Sequence, residues 1–155
     1  MSSCYITDPV EAEKIINRCE MCFVGMTMPD GAPYVLPMNF GYFDGHIVLH
    51  SGSEGTHIQH LERDNRVCIT FCDGGKLRHQ HENVACSYGM IAESVVCKGV
   101  VTFIDDPDEK IKYLNILMHK HTGRDFSYSA PAIHNVKVWL VTINEMTSKA
   151  VGKRK

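Results

Sequence analysis

Tyr34-Val35-Leu36-Pro37-Met38-Asn39-Phe40-Gly41-Tyr42-Phe43-Asp44-Gly45-His46-Ile47-Val48-Leu49-His50-Ser51-Gly52-Ser53-Glu54-Gly55-Thr56-His57 is the stretch whose reading decides the fold. Tyr34 to Phe40 and His46 to His50 read as two strands around an Asp44-Gly45 turn. An Asp-Gly pair between strand-like runs specifies a tight hairpin, because glycine accepts positive φ without a steric penalty. The small residues after His50 let the backbone turn sharply into a helix. Its first N–H groups then face outward, where an anion is favoured.

Upstream, Asp8-Pro9-Val10-Glu11 has the marks of a helix start: an N-cap acceptor, proline at the first position and an acidic first turn. Ala12, Ile15, Ile16 and Cys19 form its apolar stripe. Met21 to Met28 reads as a strand, and Pro29-Asp30-Gly31 turns the chain into the strand that begins near Pro33. Downstream, the spacing predicts a helix from Glu54 to about Arg63. A strand follows from Arg66 to Cys72, with Val67, Ile69 and Phe71 on one face. Asp73 to Ser87 has no clear period and reads as a loop with a short strand around Lys76 to Gln80. Glu93 to Ile104 is a long β-branched strand stopped by Asp105-Asp106-Pro107. Asp106 caps a helix from Pro107 to about His121, with Ile111, Leu114, Leu117 and Met118 facing inward. Thr122 to Ala132 reads as a polar loop, and His134 to Glu145 as the last strand.

Six or so strands with few crossover helices exclude a doubly wound parallel sheet, which needs a helix after each strand. A closed antiparallel barrel with peripheral helices removes the exposed edges. The 155 residues suit one domain, 1–155, with a substantial core. Sixteen basic against eighteen acidic residues give a net charge of −2, which excludes a global field for nucleic acid. No apolar run approaches the ~20 residues needed to cross a bilayer. The start lacks the basic and apolar segments of a signal peptide, so a cytoplasmic chain is expected. The basic tail from Lys149 to Lys155 reads as a solvated terminus.

Seven cysteines read as reduced, small, buried hydrophobes. Cys19-x-x-Cys22 straddles a helix end and a strand start, and Cys68 and Cys72 share a strand face. These pairs lack the paired turns that zinc ribbons use, so no metal site is expected. His79-x-His81 and His119-x-His121 read as surface residues.

The hairpin and the His50-Ser51 loop carry a resemblance that runs from about Asp8 to Lys149. It takes in Arg63-Asp64-Asn65-Arg66-Val67, Cys86 with Met90, and Ser94-Val95-Val96 with Gly99. Asp105 to Lys110, then Leu114-Asn115 with Met118, complete it. In order and spacing the chain resembles the flavin-binding split-barrel proteins of the pyridoxamine-phosphate-oxidase-like superfamily, and within it the 5-nitroimidazole-resistance (Nim) type.

The resemblance implies a mainly β, six-stranded antiparallel split β-barrel of Greek-key topology. It implies a homodimer with two equivalent flavins in the interface, FMN or alternatively FAD. Pro37, Met38, Asn39 and Phe40 match the strand along the flavin ring. His50 and Ser51 match the pair that holds the ribityl chain and phosphate, and Gly55, Thr56 and His57 match the segment that receives the phosphate. Cys86 and Met90 match positions where the second subunit covers the flavin, and Ser94 matches a serine of the pattern. Two departures stand out. Relatives carry lysine or arginine where this chain has His57, and arginine where it has Glu93. A histidine supplies a positive charge only if the phosphate raises its pKa.

The sequence offers no nucleophile–base pair or carboxylate dyad, so catalytic side chains stay unassigned. Flavin chemistry needs few, since the cofactor carries the electrons. The expected function is a flavin-dependent oxidoreductase that reduces small electron-poor substrates. The alternatives are non-catalytic flavin storage or sensing, and haem binding through His50 or the His79/His81 loop. No nucleic-acid or membrane partner is expected.

Overall fold

Asp8 starts the first helix by accepting the Val10 N–H at 2.9 Å, with Pro9 at the first helical position. The computed structural model describes residues 3–152. Its elements run β1 (Ser3–Ile6), α1 (Pro9–Arg18), β2 (Met21–Thr27), β3 (Pro33–Asn39), β4 (Gly41–Phe43), β5 (His46–Gly52), α2 (Thr56–Arg63), β6 (Arg66–Arg78), β7 (Gly89–Ile104), α3 (Pro107–Thr122), α4 (Ala130–His134) and β8 (Val136–Val151). Ala12, Ile15 and Ile16 of α1 are buried, as the apolar stripe predicts.

All ladders are antiparallel, in the order β3-β2-β6-β7-β8-β5-β4, with β1 added to β8. β3 and β4 are two halves of one bent strand. The first half pairs with β2 (Phe23 opposite Pro37) and the second with β5 (Gly41 opposite Val48). The bend therefore closes the sheet into a barrel of six strands. β5 bypasses β6 and β7 to pair with β8, which is the Greek-key step.

Phe40 sits at the bend, fully buried, its ring edge-on to Phe71 at 4.8 Å. Gly41 follows because nothing larger fits: a Cβ there would stand 2.9 Å from the Leu117 backbone of α3. The core runs through the barrel from Ile15, Val24 and Ile47 to Ile69, Val95 and Trp139. A second cluster under α3 and α4 joins Val48 and Val138 to Tyr113, Leu114 and Ile133.

The barrel is split where β2 meets β6. The two strands pair at Phe23–Thr70, Val24–Ile69 and Gly25–Cys68, and then diverge. Met26, Thr27, Pro33, Tyr34 and Val35 on one side, with Arg66, Cys68 and Lys98 on the other, line a groove of about 580 Å³ at the split.

Several expected boundaries move. Asp73 to Gly75, expected as loop, continues β6, which runs into the short strand expected around Lys76 to Gln80 and ends at Arg78; β7 starts at Gly89 rather than Glu93. β8 extends to Val151, so Lys149 to Val151 is strand, while residues 153–155 of the expected solvated tail lie outside the described residues. The polar loop before β8 contains the short helix α4, capped by Ser129. On α3, Lys110 and Tyr113 are buried beside Leu114 and Leu117. No helix among the described residues is long and apolar enough to cross a membrane.

Candidate functional site

The strand β5 and the helix α2 meet β8 at one mouth of the barrel. Ser51 lies directly opposite Lys137 in the β5–β8 ladder, and Leu49 opposite Trp139. Side chains alternate along a strand, so Leu49 and Ser51 share the inner face. Trp139 shows the direction: its Nε1–H donates to Ser51 Oγ at 3.2 Å. Ser51 Oγ donates in turn to the Gly52 carbonyl.

α2 opens at Gly55, whose φ of 152° lies outside the range that a side chain tolerates well, and no side chain caps the helix. A Cβ at Gly55 would meet the His57 imidazole at 2.7 Å, so that ring folds back over the glycine. The same ring lies 5.5 Å from Trp139. Ser51, Gly55, His57 and Trp139 thus gather around the uncapped start of α2, a place that favours an anion by its N–H groups and its dipole.

The polar bookkeeping points to the same end of the molecule. Among the described residues, the buried side-chain nitrogens without a hydrogen-bond partner are His50 Nδ1, His57 Nε2 and both ring nitrogens of His60. Buried polar atoms normally find partners, and all four atoms belong to β5 and α2. Burial holds the His50 pKa below the ordinary histidine value, and burial followed by the neighbouring His60 does the same for His57. Both rings are therefore neutral at pH 7, each with one nitrogen able to accept.

His50 and Ser51 are neighbours in sequence but face opposite ways. His50 shares the face of Val48, toward the layer of α3 and α4, and pairs across the sheet with Val138. Pro37 lies exposed on a strand that pairs on one side, with β2, the edge placement in which a strand tolerates proline. Asn39 is exposed too, whereas Met38 packs against the core and Phe40 is inside it. The Phe40 carbonyl accepts from His121 Nε2 at 3.2 Å.

Cys86, Met90 and Ser94 stand apart from the mouth. Ser94 pairs with Lys149 near the end of β8, whereas Ile104 of the same strand pairs with Val138. At ~3.3 Å per residue that separates Ser94 from the mouth by roughly 33 Å along the strand. Cys86 and Met90 are exposed at the β6–β7 connection, and Cys68 and Cys72 are exposed too. The expectation of buried cysteines therefore holds for Cys19, Cys22 and Cys97 but not for Cys68, Cys72 and Cys86, whose side chains lie on outward-facing positions. Glu93 lies on the same stretch, where Arg18 of α1 donates from Nη2 to it at 2.9 Å and from Nε to Asp73 at 2.5 Å. The reversed charge at position 93 is thus held by the first helix. The side chain that the sequence reading missed at the mouth is Lys137. No local motif marks it; its place follows from strand register.

The sequence profile of the pyridoxamine 5'-phosphate oxidase family matches residues 9–150. The chain belongs to this family. Against the curated proteins, no match was found. Among solved structures, the family member described here is similar to a candidate 5-nitroimidazole antibiotic resistance protein from Bacteroides thetaiotaomicron. The two are 49% identical over 96% of this chain and 87% of the other, with a TM-score of 0.88. It shares its fold with the flavocytochrome Anf3 of Azotobacter vinelandii, at 22% identity over 97% and 70% of the chains and a TM-score of 0.80. A FAD-binding protein of Mesorhizobium loti has the same fold at 19% identity, over 98% and 100% of the chains, with a TM-score of 0.72.

Proposed function

We propose that the chain is a flavin-dependent oxidoreductase that works as a homodimer and reduces small electron-poor compounds such as 5-nitroimidazoles. The observation that carries the reading is the uncapped start of α2, where Ser51 and Gly55 meet a His57 ring whose buried Nε2 has no partner. Neutral acceptors and open N–H groups suit a ligand that combines hydroxyls with a phosphate, and a flavin nucleotide has both. The likeness to a candidate 5-nitroimidazole antibiotic resistance protein supports the substrate class.

In this reading the start of α2 and Ser51 hold the ribityl phosphate, and the exposed edge of β3 at Pro37 and Asn39 runs along the ring. The ring supplies two-electron reduction when bound. The chain's part is to hold, orient and dry it. Met21, Phe23 and Val35 leave an apolar strip exposed on the outer face of β2 and β3, and a second copy of the chain covers it. Such a strip on a soluble protein marks an interaction surface. The turn that carries Cys86 and Met90, remote from the mouth in its own protomer, then reaches the flavin of the other.

Purified protein is expected to show flavin absorption near ~375 and ~450 nm, the bands of the chromophore itself. Mass analysis of the released cofactor distinguishes FMN from FAD. Reduced with NADH or NADPH, the protein is expected to reoxidise faster when a 5-nitroimidazole is added, with loss of the nitro chromophore. Reoxidation at the same rate with and without it would leave storage or sensing of the flavin. The unpartnered Nδ1 of His50 favours a second reading, haem ligation; a Soret band in the same spectrum would select it.

A further inference from the structure

We propose that Lys137 is the cation that meets the flavin phosphate at the barrel mouth, in place of the one that position 57 lacks; this rests on the flavin reading above. Lys137 and Ser51 face each other in the β5–β8 ladder. Directly opposed residues leave an antiparallel sheet on the same side, with Cβ atoms ~4.5–5.5 Å apart. The side is fixed by the hydrogen bond from Trp139 to Ser51. Trp139, two residues on, shares the face of Lys137 and lies 5.5 Å from the His57 ring that covers Gly55. One row of the sheet therefore separates Lys137 from Trp139, the ring against which His57 lies.

The ammonium group is poised rather than committed. It lies 4.9 Å over the Phe103 ring and 3.1 Å from Asp105 Oδ1, with the lysine side chain 20% exposed and the aspartate 80%. An ion pair with so exposed a partner is weak. A phosphate with a charge near ~−2 in the same neighbourhood outcompetes one solvated carboxylate. Three other cations among the described residues are engaged or placed away from Ser51. Arg63 ends α2, Arg66 is held by Asp64, and Lys98 is held by Glu145 at the split.

The test compares FMN with riboflavin, which has the same ring and ribityl chain but no phosphate. Protein stripped of bound flavin is titrated with each, and binding is followed by quenching of flavin fluorescence. The wild-type protein is expected to prefer FMN. Lys137→Met is expected to weaken FMN by about tenfold, the scale of one lost charge-assisted bond, and to leave riboflavin unchanged. It also flattens the salt dependence of FMN binding. Lys137→Arg retains most of the FMN affinity, and Asp105→Asn raises it by freeing the ammonium. Thermal melts of the variants separate loss of the site from loss of the fold. FMN binding by Lys137→Met as tight as wild type overturns the assignment, and so does a wild-type protein that binds both flavins equally; either result leaves the flavin reading standing. A wild-type protein that binds neither of these nor FAD removes both.

Discussion

His57 is the residue on which the pH behaviour of the site turns. Its pKa in the free protein lies below the ordinary histidine value of 6.5, first because of burial and then because of His60. An anion bound beside the ring raises that value, so binding takes up a proton. By linkage the added affinity is complete below the free-protein pKa and is lost as pH rises through the bound-state value. FMN affinity is therefore expected to fall as pH rises from the lowered free-protein pKa of His57 toward the raised value it takes beside the anion. Replacing His57 by lysine should strengthen binding severalfold and remove this slope, since lysine stays charged across the range. Titrations at fixed ionic strength check both. An affinity flat with pH in the natural protein would take His57 out of reach of the phosphate.

At the scale of elements, the bend between β3 and β4 depends on how closely α3 approaches it. Gly41→Ala puts a methyl group 2.9 Å from the Leu117 backbone, and backbone cannot swing aside as a side-chain tip can. A loss of ~1–3 kcal/mol is expected, the usual range for overpacking, read as a lower urea midpoint with an unchanged slope. Most elements were legible in the sequence because each announces itself locally. Asp8-Pro9 and Asp106-Pro107 cap their helices, Asp44-Gly45 turns the hairpin, and Val67, Ile69 and Phe71 alternate inward. The rest is not written locally. β6 continues past Cys72 because Gly74 and Gly75, at φ of 110° and 103°, absorb a register shift against β7 that no hydrophobic period betrays. β1 is too short to read without its partner. The pairing of Ser51 with Lys137 and Trp139 joins segments some eighty residues apart, so the mouth could be anticipated from its loop but not from its opposite wall.

At the scale of the molecule, the free protein should lose stability in mild acid. The folded pKa values of His50 and His57 lie below the unfolded value of about 6.5. The unfolded chain then binds more protons, so stability is full above that value and declines as pH falls through it. A melting temperature lower near pH 5.5 than near 7.5, with the difference reduced after both histidines are changed to glutamine, is the expected result. Phe23→Glu, on the exposed strip, should yield a monomer by light scattering and weaken flavin binding by tenfold or more if the second copy covers the ring; a dimer that survives the change places the interface elsewhere. A last consequence follows from β1, whose Ser3 and Ile6 lie opposite Val151 and Ser148. β1 cannot dock until β8 exists, so a ribosome must release the chain through Val151 before Ser3 to Ile6 find their place. Until then the flank of β8 is an open template on which a stray strand can pair. Hydrogen exchange is expected to show the β1 amides opening long before the β7–β8 ladder, as a seam closed last and loosened first.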